Sequence, residues 1–356
     1  MYQEVKLLID EVDIVNFDNV NIDFAGNNTV NKLTCTITDP DFAEATVLNS
    51  TLVFYLNYGC SDETPFFRGI IRDYTPSDKS VNIIAYDPRV LISGKTATQI
   101  SLTDTDNYDG NTLAQFTQKI IEDTVNTTDK VRIGLDMLNE PDPPIRMGGI
   151  RGENKSPYDF IKEALDKASS VNLSDEAYGE VNAWKVGIVE ESDRANIVFY
   201  KEQSVINEEE SHVSISYADN LKSYSYKIRP VPSVVTGTTK DGQTRTYVDG
   251  NTPSGVLGIN LKEKFDSPSD IIDAAVRKVA LHSVQKSEIN IQAGKLAYMS
   301  LGDTIKINVP DDIELSNMVH RIKSKKISYS HNKGTNITIG LNKDRTLASD
   351  YLRQAD

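Results

Sequence analysis

The chain has 356 residues, of which 38% are hydrophobic and 25% are charged. This composition is that of a folded globular protein and excludes an intrinsically disordered one, and the length favours two or three domains. The net charge of −14 repels phosphate groups, which argues against recognition of duplex nucleic acid through a basic surface.

Residues 1–100 consist of short strand-like segments separated by turn clusters such as FDNVN, AGNN and TPSDKS. Strands are predicted at EVKLLI, NKLTCTIT, STLVFYLNYG, FFRGIIRDYT and SVNIIAYD, and their spacing predicts a small antiparallel β-barrel or sandwich. In FRGIIRDY the alternation places Phe67, Gly69 and Ile71 on one face. Arg68 and Arg72 lie on the other face, and Gly69 indicates a bulge or a tight bend.

Residues 101–210 change to a mixture of helices and strands. Apolar residues recur at helical spacing in TLAQFTQKIIEDTV, and a second helix is predicted in SPYDFIKEALDKASS, with Ser156 as its cap. The segments AWKVGIVEE and NIVFYKEQ predict a pair of strands. We therefore expect a mixed α/β insert.

Residues 211–356 return to strands, with one helix predicted in SPSDIIDAAVRKVALHSV. The Gly- and Thr-rich segment near 232–256 predicts a long exposed flap whose role the sequence leaves open. The predicted fold class is therefore mainly β. Two small antiparallel β-barrel domains, at 1–100 and 211–356, flank the α/β insert.

Patterns for catalysis or metal binding are incomplete. GGIRGENKS lacks the last glycine of a phosphate loop, and DTDNYDGNTLAQ departs from a calcium loop at several ligand positions. The four histidines do not have zinc-ligand spacing, and no G-x-S-x-G motif is present. We predict no catalytic residue, no cofactor and no metal.

The cysteines and the N-terminus indicate the compartment. Cys35 and Cys60 lie in or beside apolar strand-like segments and are expected to be small buried residues, with a disulfide between them as the open alternative. MYQEVKLLID lacks the regions of a signal peptide, and no apolar segment approaches the about 18 residues of a membrane span. We expect a protein made in the cytoplasm, without a membrane-spanning segment.

The sequence contains two sets of short strand motifs, one in its first third and one in its last third. In the first third, an F-x-G-x-I strand is followed by a turn and a strand that ends in A-Y-D, with Phe67, Gly69 and Ile71 and then Tyr86 and Asp87. In the last third, a G-D-x-I entry precedes two further strands. The entry contains Gly302, Asp303 and Ile305. The next strand contains Ile322 and Ser324, and the last strand contains Thr338 and Leu341.

The order and spacing of these motifs resemble the phage tail baseplate hub proteins of the late control gene D family, over most of the chain. The resemblance implies a structural virion protein of the tail baseplate or tail tip, assembled in the host cytoplasm, and not an enzyme. It implies a homotrimer whose two similar barrels present six quasi-equivalent surfaces to a six-fold tail tube or distal tail protein. The other end holds a trimeric spike or fibre.

The net charge of the chain and two of its arginines are consistent with the expected trimeric ring. An acidic lumen would let DNA pass without specific binding. Arg68 and Arg72 are candidates for ion pairs with a neighbouring subunit, with a solvated face as the alternative.

Two other function classes stay open. The chain could be a tail-associated cell-wall hydrolase, which would need an acidic pair in a pocket with one raised pKa. It could also be a receptor- or carbohydrate-binding module of the tail tip. An exposed aromatic cluster around Trp184 would favour that module, and loss of the 232–256 segment would then abolish host binding.

Overall fold

The computed structural model describes a large part of the chain. The described residues are 4–25, 30–38, 48–57, 65–94, 99–102, 111–124, 133–136, 142–143, 145, 150, 152–168, 170–172, 180–190, 195–203, 213–216, 221–228, 234–248, 258–284, 287–293, 299–308 and 319–341. Strands predominate over helices, which confirms the predicted mainly β fold class.

The chain forms two compact units, each built from separate segments. Unit 1 comprises Met1–Ala168, Trp184–Tyr200 and Lys326–Ile337. Unit 2 comprises Ser169–Ala183, Lys201–Lys325 and Thr338–Asp356. The division into three consecutive domains with boundaries near 100 and 210 stays a prediction.

The N-terminal part of unit 1 is an antiparallel sheet with the strand order β3-β4-β7-β6-β5-β1-β2. In the described residues no pair between β3 and β2 closes this sheet into the predicted barrel. Its inward side chains form an apolar core that includes Leu7, Ile22, Leu33, Leu52 and Phe54. The strands are β1 (Glu4–Ile9), β2 (Val12–Asp13), β3 (Phe17–Ala25), β4 (Lys32–Ile37), β5 (Thr51–Asn57), β6 (Phe67–Pro76) and β7 (Val81–Tyr86).

Strand β3 corrects one prediction, because the composition of FDNVN predicts a turn cluster and the segment is a strand. Phe17, Val20 and Ile22 are buried, so the segment has the apolar alternation of a strand once it is interrupted by one bulge. The bulge lies between Asp18 and Asn21 in the pairing with β4, and Asn19 within it has a φ of 53°. Asn tolerates this conformation, and so a turn-like composition is compatible with a strand here.

The insert begins after a 3-10 turn at Pro88–Leu91 and contains both predicted helices and the predicted strand pair. The helices pack with the strands around a core that includes Phe116, Phe160, Trp184 and Phe199. Ser156 Oγ accepts from the backbone N–H of Asp159, as its predicted capping role requires. The elements are β8 (Ile100–Leu102), α1 (Leu113–Thr124), β9 (Ile133–Asp136), β10 (Gly152–Lys155), α2 (Pro157–Ala168), β11 (Ser170–Asn172), β12 (Glu180–Glu190) and β13 (Ala195–Gln203).

Unit 2 contains two groups of strands and the third helix. β15, β19 and β22 are neighbours in one sheet, and β14 pairs with β20, which pairs with β21. The strands β21 and β22 contribute residues to both units. The elements are β14 (Val213–Ser216), β15 (Leu221–Ile228), β16 (Val234–Thr239), β17 (Thr244–Val248), β18 (Gly258–Phe265), α3 (Pro268–Val284), β19 (Ser287–Ala293), β20 (Thr304–Asn308), β21 (Val319–Ser330) and β22 (Gly334–Leu341).

Part of the predicted flap is regular structure. Strands β16 and β17 form a hairpin and β18 pairs in parallel with β16. Val235 and Thr239 are buried, and a Cβ on Gly237 would lie 2.7 Å from the side chain of Ile271 in α3. Helix α3 therefore covers one face of this sheet, while β17 is largely exposed. None of the helices in the described ranges combines the length and apolar character that crossing a bilayer requires.

Candidate functional site

The F-x-G-x-I residues of β6 are a packing motif. Phe67 and Ile71 are buried in the core of unit 1. Gly69 lies between two neighbours, because a Cβ there would be 2.6 Å from the ring of Phe67 and 2.7 Å from the carbonyl oxygen of Tyr86. Only a residue without a side chain fits this position, so the glycine lets β6 and β7 pack around the Phe67 ring.

Asp87, at the end of β7, is a buried carboxylate with several donors. It accepts from the backbone N–H of Asn31 at 2.6 Å and from that of Arg89 at 3.0 Å. The guanidinium of Arg89 donates to both carboxylate oxygens, with Nη2 2.6 Å from Oδ2. Both side chains are 1% exposed. Such a pair is stable only because its polar atoms are satisfied, and here Asp87 also caps the 3-10 turn.

Arg89 extends this network to the insert. Its Nη1 donates to the hydroxyl of Tyr158 at 3.2 Å, and the backbone N–H of Tyr158 donates to Ile92 at 2.8 Å. Tyr158 belongs to the first turn of α2. Burial raises the pKa of Tyr158, although the charge of Arg89 opposes that rise. Burial alone would lower the pKa of Arg89, but Asp87 raises it above its usual value, so the guanidinium stays charged.

A second contact joins the insert to β6. Glu190, the last residue of β12, accepts from the backbone N–H of Arg68 at 3.2 Å, and its other oxygen lies 3.5 Å from Nε of Arg68. The two side chains are 10% and 14% exposed. Burial raises the pKa of Glu190 to about 8; Arg68 opposes this shift and Asp87 adds to it. We call the residues Arg68, Asp87, Arg89, Tyr158 and Glu190 the polar junction.

The polar junction has the acidic pair with one raised pKa that a hydrolase would need, but not the access. Asp87 is 1% exposed and is occupied by Arg89. Glu190 is 10% exposed and contacts Arg68. Each carboxylate therefore faces an internal partner, and the arrangement connects elements of unit 1.

The structure also places the two arginines that were predicted at a subunit interface. Arg68 contacts Glu190, and Nη1 of Arg72 donates to Oδ1 of Asn49 at 2.7 Å. Both side chains thus have partners within the chain, and a contact with a neighbouring subunit stays a prediction.

The C-terminal motif forms a closed turn in unit 2. Gly302 has a φ of 94°, a conformation that favours glycine. Its backbone N–H donates to Ile322 at 2.9 Å, and the N–H of Ile322 donates to Asp303 at 2.8 Å. The exposed carboxylate of Asp303 accepts from the N–H of Ser300 at 2.7 Å. These hydrogen bonds bring the adjacent residues Gly302 and Asp303 together with Ile322, which lies 20 residues after Gly302 in the chain.

A buried lysine lies beside this turn. Nζ of Lys325 donates to the carbonyl of Met299 at 2.6 Å, and Nη1 of Arg321 donates to that of Gly302 at 2.9 Å. Burial lowers the pKa of Lys325 to about 8, although the charge of Asp303 opposes this. The two cations therefore help to hold the turn against β21.

The remaining residues that the sequence analysis named do not form a site in the described residues. Trp184 is 6% exposed and belongs to the core of the insert, so it does not form an exposed aromatic cluster. Cys35 is buried, and burial raises the pKa of its thiol to about 12. Cys60 and the acidic loop at 103–110 lie outside the described residues. Within the described ranges no group of His, Cys, Asp and Glu could hold a metal ion.

Sequence comparison and structure comparison give different results for this chain. No family model matches it, and no curated protein matches it by sequence. Solved structures of similar fold include a tail protein of Neisseria meningitidis MC58, with a TM-score of 0.61 and 12% identity, over 97% of each chain. The 43 kDa tail protein of prophage MuSo2 of Shewanella oneidensis is similar with a TM-score of 0.62 and 13% identity, over 95% of this chain and 98% of that one.

A third similar structure comes from a secretion system. The E. coli c3393 protein is described as a component of the type VI secretion system with structural similarity to the T4 bacteriophage tail proteins gp27 and gp5. It matches with a TM-score of 0.56 and 12% identity, over 96% of this chain and 76% of that one. At these identities the comparisons show a shared fold.

Proposed function

We propose that this chain is a structural protein of a phage tail or a related injection particle, and that it forms the hub of the baseplate or tail tip. The observation that carries the proposal is the fold, which this chain shares over 95–97% of its length with two tail proteins, one of them from a prophage, and with a type VI secretion component. The description of that component as similar to the T4 bacteriophage tail proteins gp27 and gp5 supports a role in the tail, and the hub rests on the order of the F-x-G-x-I, A-Y-D and G-D-x-I motifs in the sequence.

The polar junction supports a structural role. Its polar side chains are largely buried and contact one another between residues that are 69 and 122 positions apart in the chain. Such networks hold elements in one arrangement, whereas a catalytic acid must reach its substrate. Trp184, which a sugar-binding surface would need to expose, lies in the core of the insert. In the described residues neither rival function therefore has an accessible site.

In the proposed assembly the chain is a homotrimer. Two β-rich parts in each of three copies present six quasi-equivalent surfaces to a six-fold tail tube or distal tail protein, and the other side holds a three-fold spike or fibre. The net charge of −14 suits a lumen through which DNA passes without specific binding. The protein would be assembled in the host cytoplasm and carried in the virion.

Immunogold labelling of the particles that contain this chain tests the proposal. An antibody against the exposed β6–β7 turn, residues 77–80, would be imaged on intact particles by negative-stain electron microscopy. We expect the label at the end of the tail distal to the capsid. Label along the whole tail would indicate a tube or sheath protein, and label on the capsid would exclude a tail role.

A further inference from the structure

The strand order of the described residues leaves two sheet edges. In unit 1 the order ends at β2, which pairs with β1 and has no strand on its outer side in the described residues. In unit 2 the order ends at β15, which pairs with β19 and likewise has no second strand there. An edge strand exposes backbone donors and acceptors that pair readily with another strand.

The β2 edge is both apolar and acidic. Val12 is 61% and Val15 is 75% exposed, and these are two of the few large hydrophobic side chains that the described residues expose. Asp10, Glu11 and Asp13 beside them are also exposed. This edge therefore presents two apolar side chains among three acidic ones.

The backbone of this segment is directed outwards at two residues. The N–H of Ile14 donates inwards to the carbonyl of Leu7. Because successive residues of an antiparallel strand direct their backbone groups to opposite sides, Asp13 and Val15 direct theirs away from β1. Asp10 and Glu11 form the turn between the strands with φ values of 46° and 69°.

The β15 edge carries the opposite charge. The strand LKSYSYKI contains no acidic residue, and Lys222 provides a positive charge at this edge. Lys222, Ser223 and Ser225 are exposed. The two edges therefore complement each other in charge, and both offer backbone groups to a partner strand.

We propose that the β2 edge of one copy of this chain pairs with the β15 edge of the next copy. The inference rests on the proposed homotrimeric hub and names its subunit contact. A head-to-tail contact between two different surfaces forms a ring when the rotation between successive copies closes, as a trimer requires, and closure covers every edge of both kinds. The opposite charges favour a second copy of this chain over a tube or spike protein as the occupant.

Charge reversal tests the pairing in the full chain. Asp13→Lys and Lys222→Glu each place like charges at the contact, so each should raise the protein concentration at which half of the chain is trimeric by about tenfold or more. The double variant should restore the wild-type value, since it exchanges the two charges. Light scattering behind a sizing column measures the mass over a dilution series, and circular dichroism verifies folding.

Matched controls lie in the turn between β6 and β7, where Asp78 and Lys79 are exposed. Asp78→Lys and Lys79→Glu make the same charge changes and should leave the trimer unaffected. Cysteines at Val15 and Ser223, combined with Cys60→Ser, should form a covalent ladder under mild oxidation, whereas cysteines at Lys79 and Ser223 should not.

The outcomes separate this inference from the proposed function. If the wild-type chain is a trimer, both single charge-reversal variants trimerise equally well, and the Val15–Ser223 cysteine variant forms no covalent ladder, the edge pairing is wrong. The proposed hub function is then unaffected. Loss in both single variants without recovery in the double variant would also overturn the pairing. A wild-type chain that is monomeric at every concentration would overturn both.

Discussion

The two motif regions hold their strands in different ways. In unit 1, Asp87 and Arg89 form a buried ion pair that reaches Tyr158 in α2, and Glu190 of β12 contacts β6 nearby. In unit 2, Gly302 and Asp303 close a turn through backbone hydrogen bonds to β21, and the charged side chain of Asp303 is exposed. One region is a buried network between distant elements, and the other is a local turn.

The difference shows that motifs of similar appearance can contribute very differently to stability. Removing one member of a buried pair leaves an uncompensated charge in the interior, whereas an exposed carboxylate can turn to water. We therefore expect variants of the polar junction to destabilise the protein far more than variants of the turn.

The largest expected effect is that of Arg89→Met. It leaves the buried carboxylate of Asp87 without its charged partner, so we expect a loss of about 3–5 kcal/mol in the free energy of unfolding of unit 1. Arg72→Met is the matched control, because Arg72 donates to a neutral amide, and should cost at most about 1 kcal/mol. Urea denaturation measures the free energy of unfolding of both variants. Equal losses in the two would contradict the expected difference between a buried ion pair and a hydrogen bond to a neutral amide.

The next effect is a pH dependence that belongs to Glu190. Its pKa is about 8 in the folded chain and 4.5 as the ordinary value, so the folded state favours the protonated form. The stability that this group contributes is complete below pH 4.5 and is lost progressively as the pH rises to about 8. Glu190→Gln should remove this slope in urea denaturation. An identical slope in wild type and variant would show that Glu190 is not its source.

Gly69→Ala should cost about 1–3 kcal/mol through overpacking, because its Cβ would lie 2.6 Å from the Phe67 ring and 2.7 Å from the Tyr86 carbonyl. Gly258→Ala is the control, since a Cβ there meets nothing within 4 Å. The change in thermal unfolding midpoint distinguishes them. If Gly69→Ala had the same unfolding midpoint as the wild type, the short distances to Phe67 and Tyr86 would not require a glycine at this position.

The smallest expected effect is that of Asp303→Asn in unit 2. The amide oxygen of asparagine can still accept from the N–H of Ser300, so we expect a loss of about 0.5 kcal/mol. Gly302→Ala in the same turn should cost more, about 1–2 kcal/mol, because of its φ of 94°. Urea denaturation of both variants tests this order. A loss for Asp303→Asn as large as that for Arg89→Met would remove the distinction between the two regions.

Much of the fold could be predicted from the sequence, because β-branched and aromatic residues alternate in most strands and the helices carry their caps. The sequence does not predict strand β3 or the β16–β17 hairpin. Asn, Asp, Gly and Thr are also turn residues, and it is the pairing with neighbouring strands that makes these segments strands. The contact that buries Val235 comes from α3, which follows it by more than 30 residues.

The candidate site was predictable only in part. The sequence pointed to Phe67, Gly69 and Asp87, whose strand positions are local. It did not point to Tyr158 or Glu190, which lie 69 and 122 residues from Arg89 and Arg68. Tyrosine and glutamate are common in the chain, and nothing in their spacing identifies the arginine that each contacts. Arg89 follows A-Y-D-P directly in the sequence, and this closeness to Asp87 is the one local feature that could have predicted their ion pair.

The mass of the purified chain in solution tests the central claim most directly. One copy has a mass of 39.5 kDa, so a hub trimer predicts three times 39.5 kDa, about 118 kDa, by light scattering behind a sizing column. The trimer should persist over a hundredfold dilution from micromolar concentration. A mass of one copy at every concentration would contradict the homotrimeric hub.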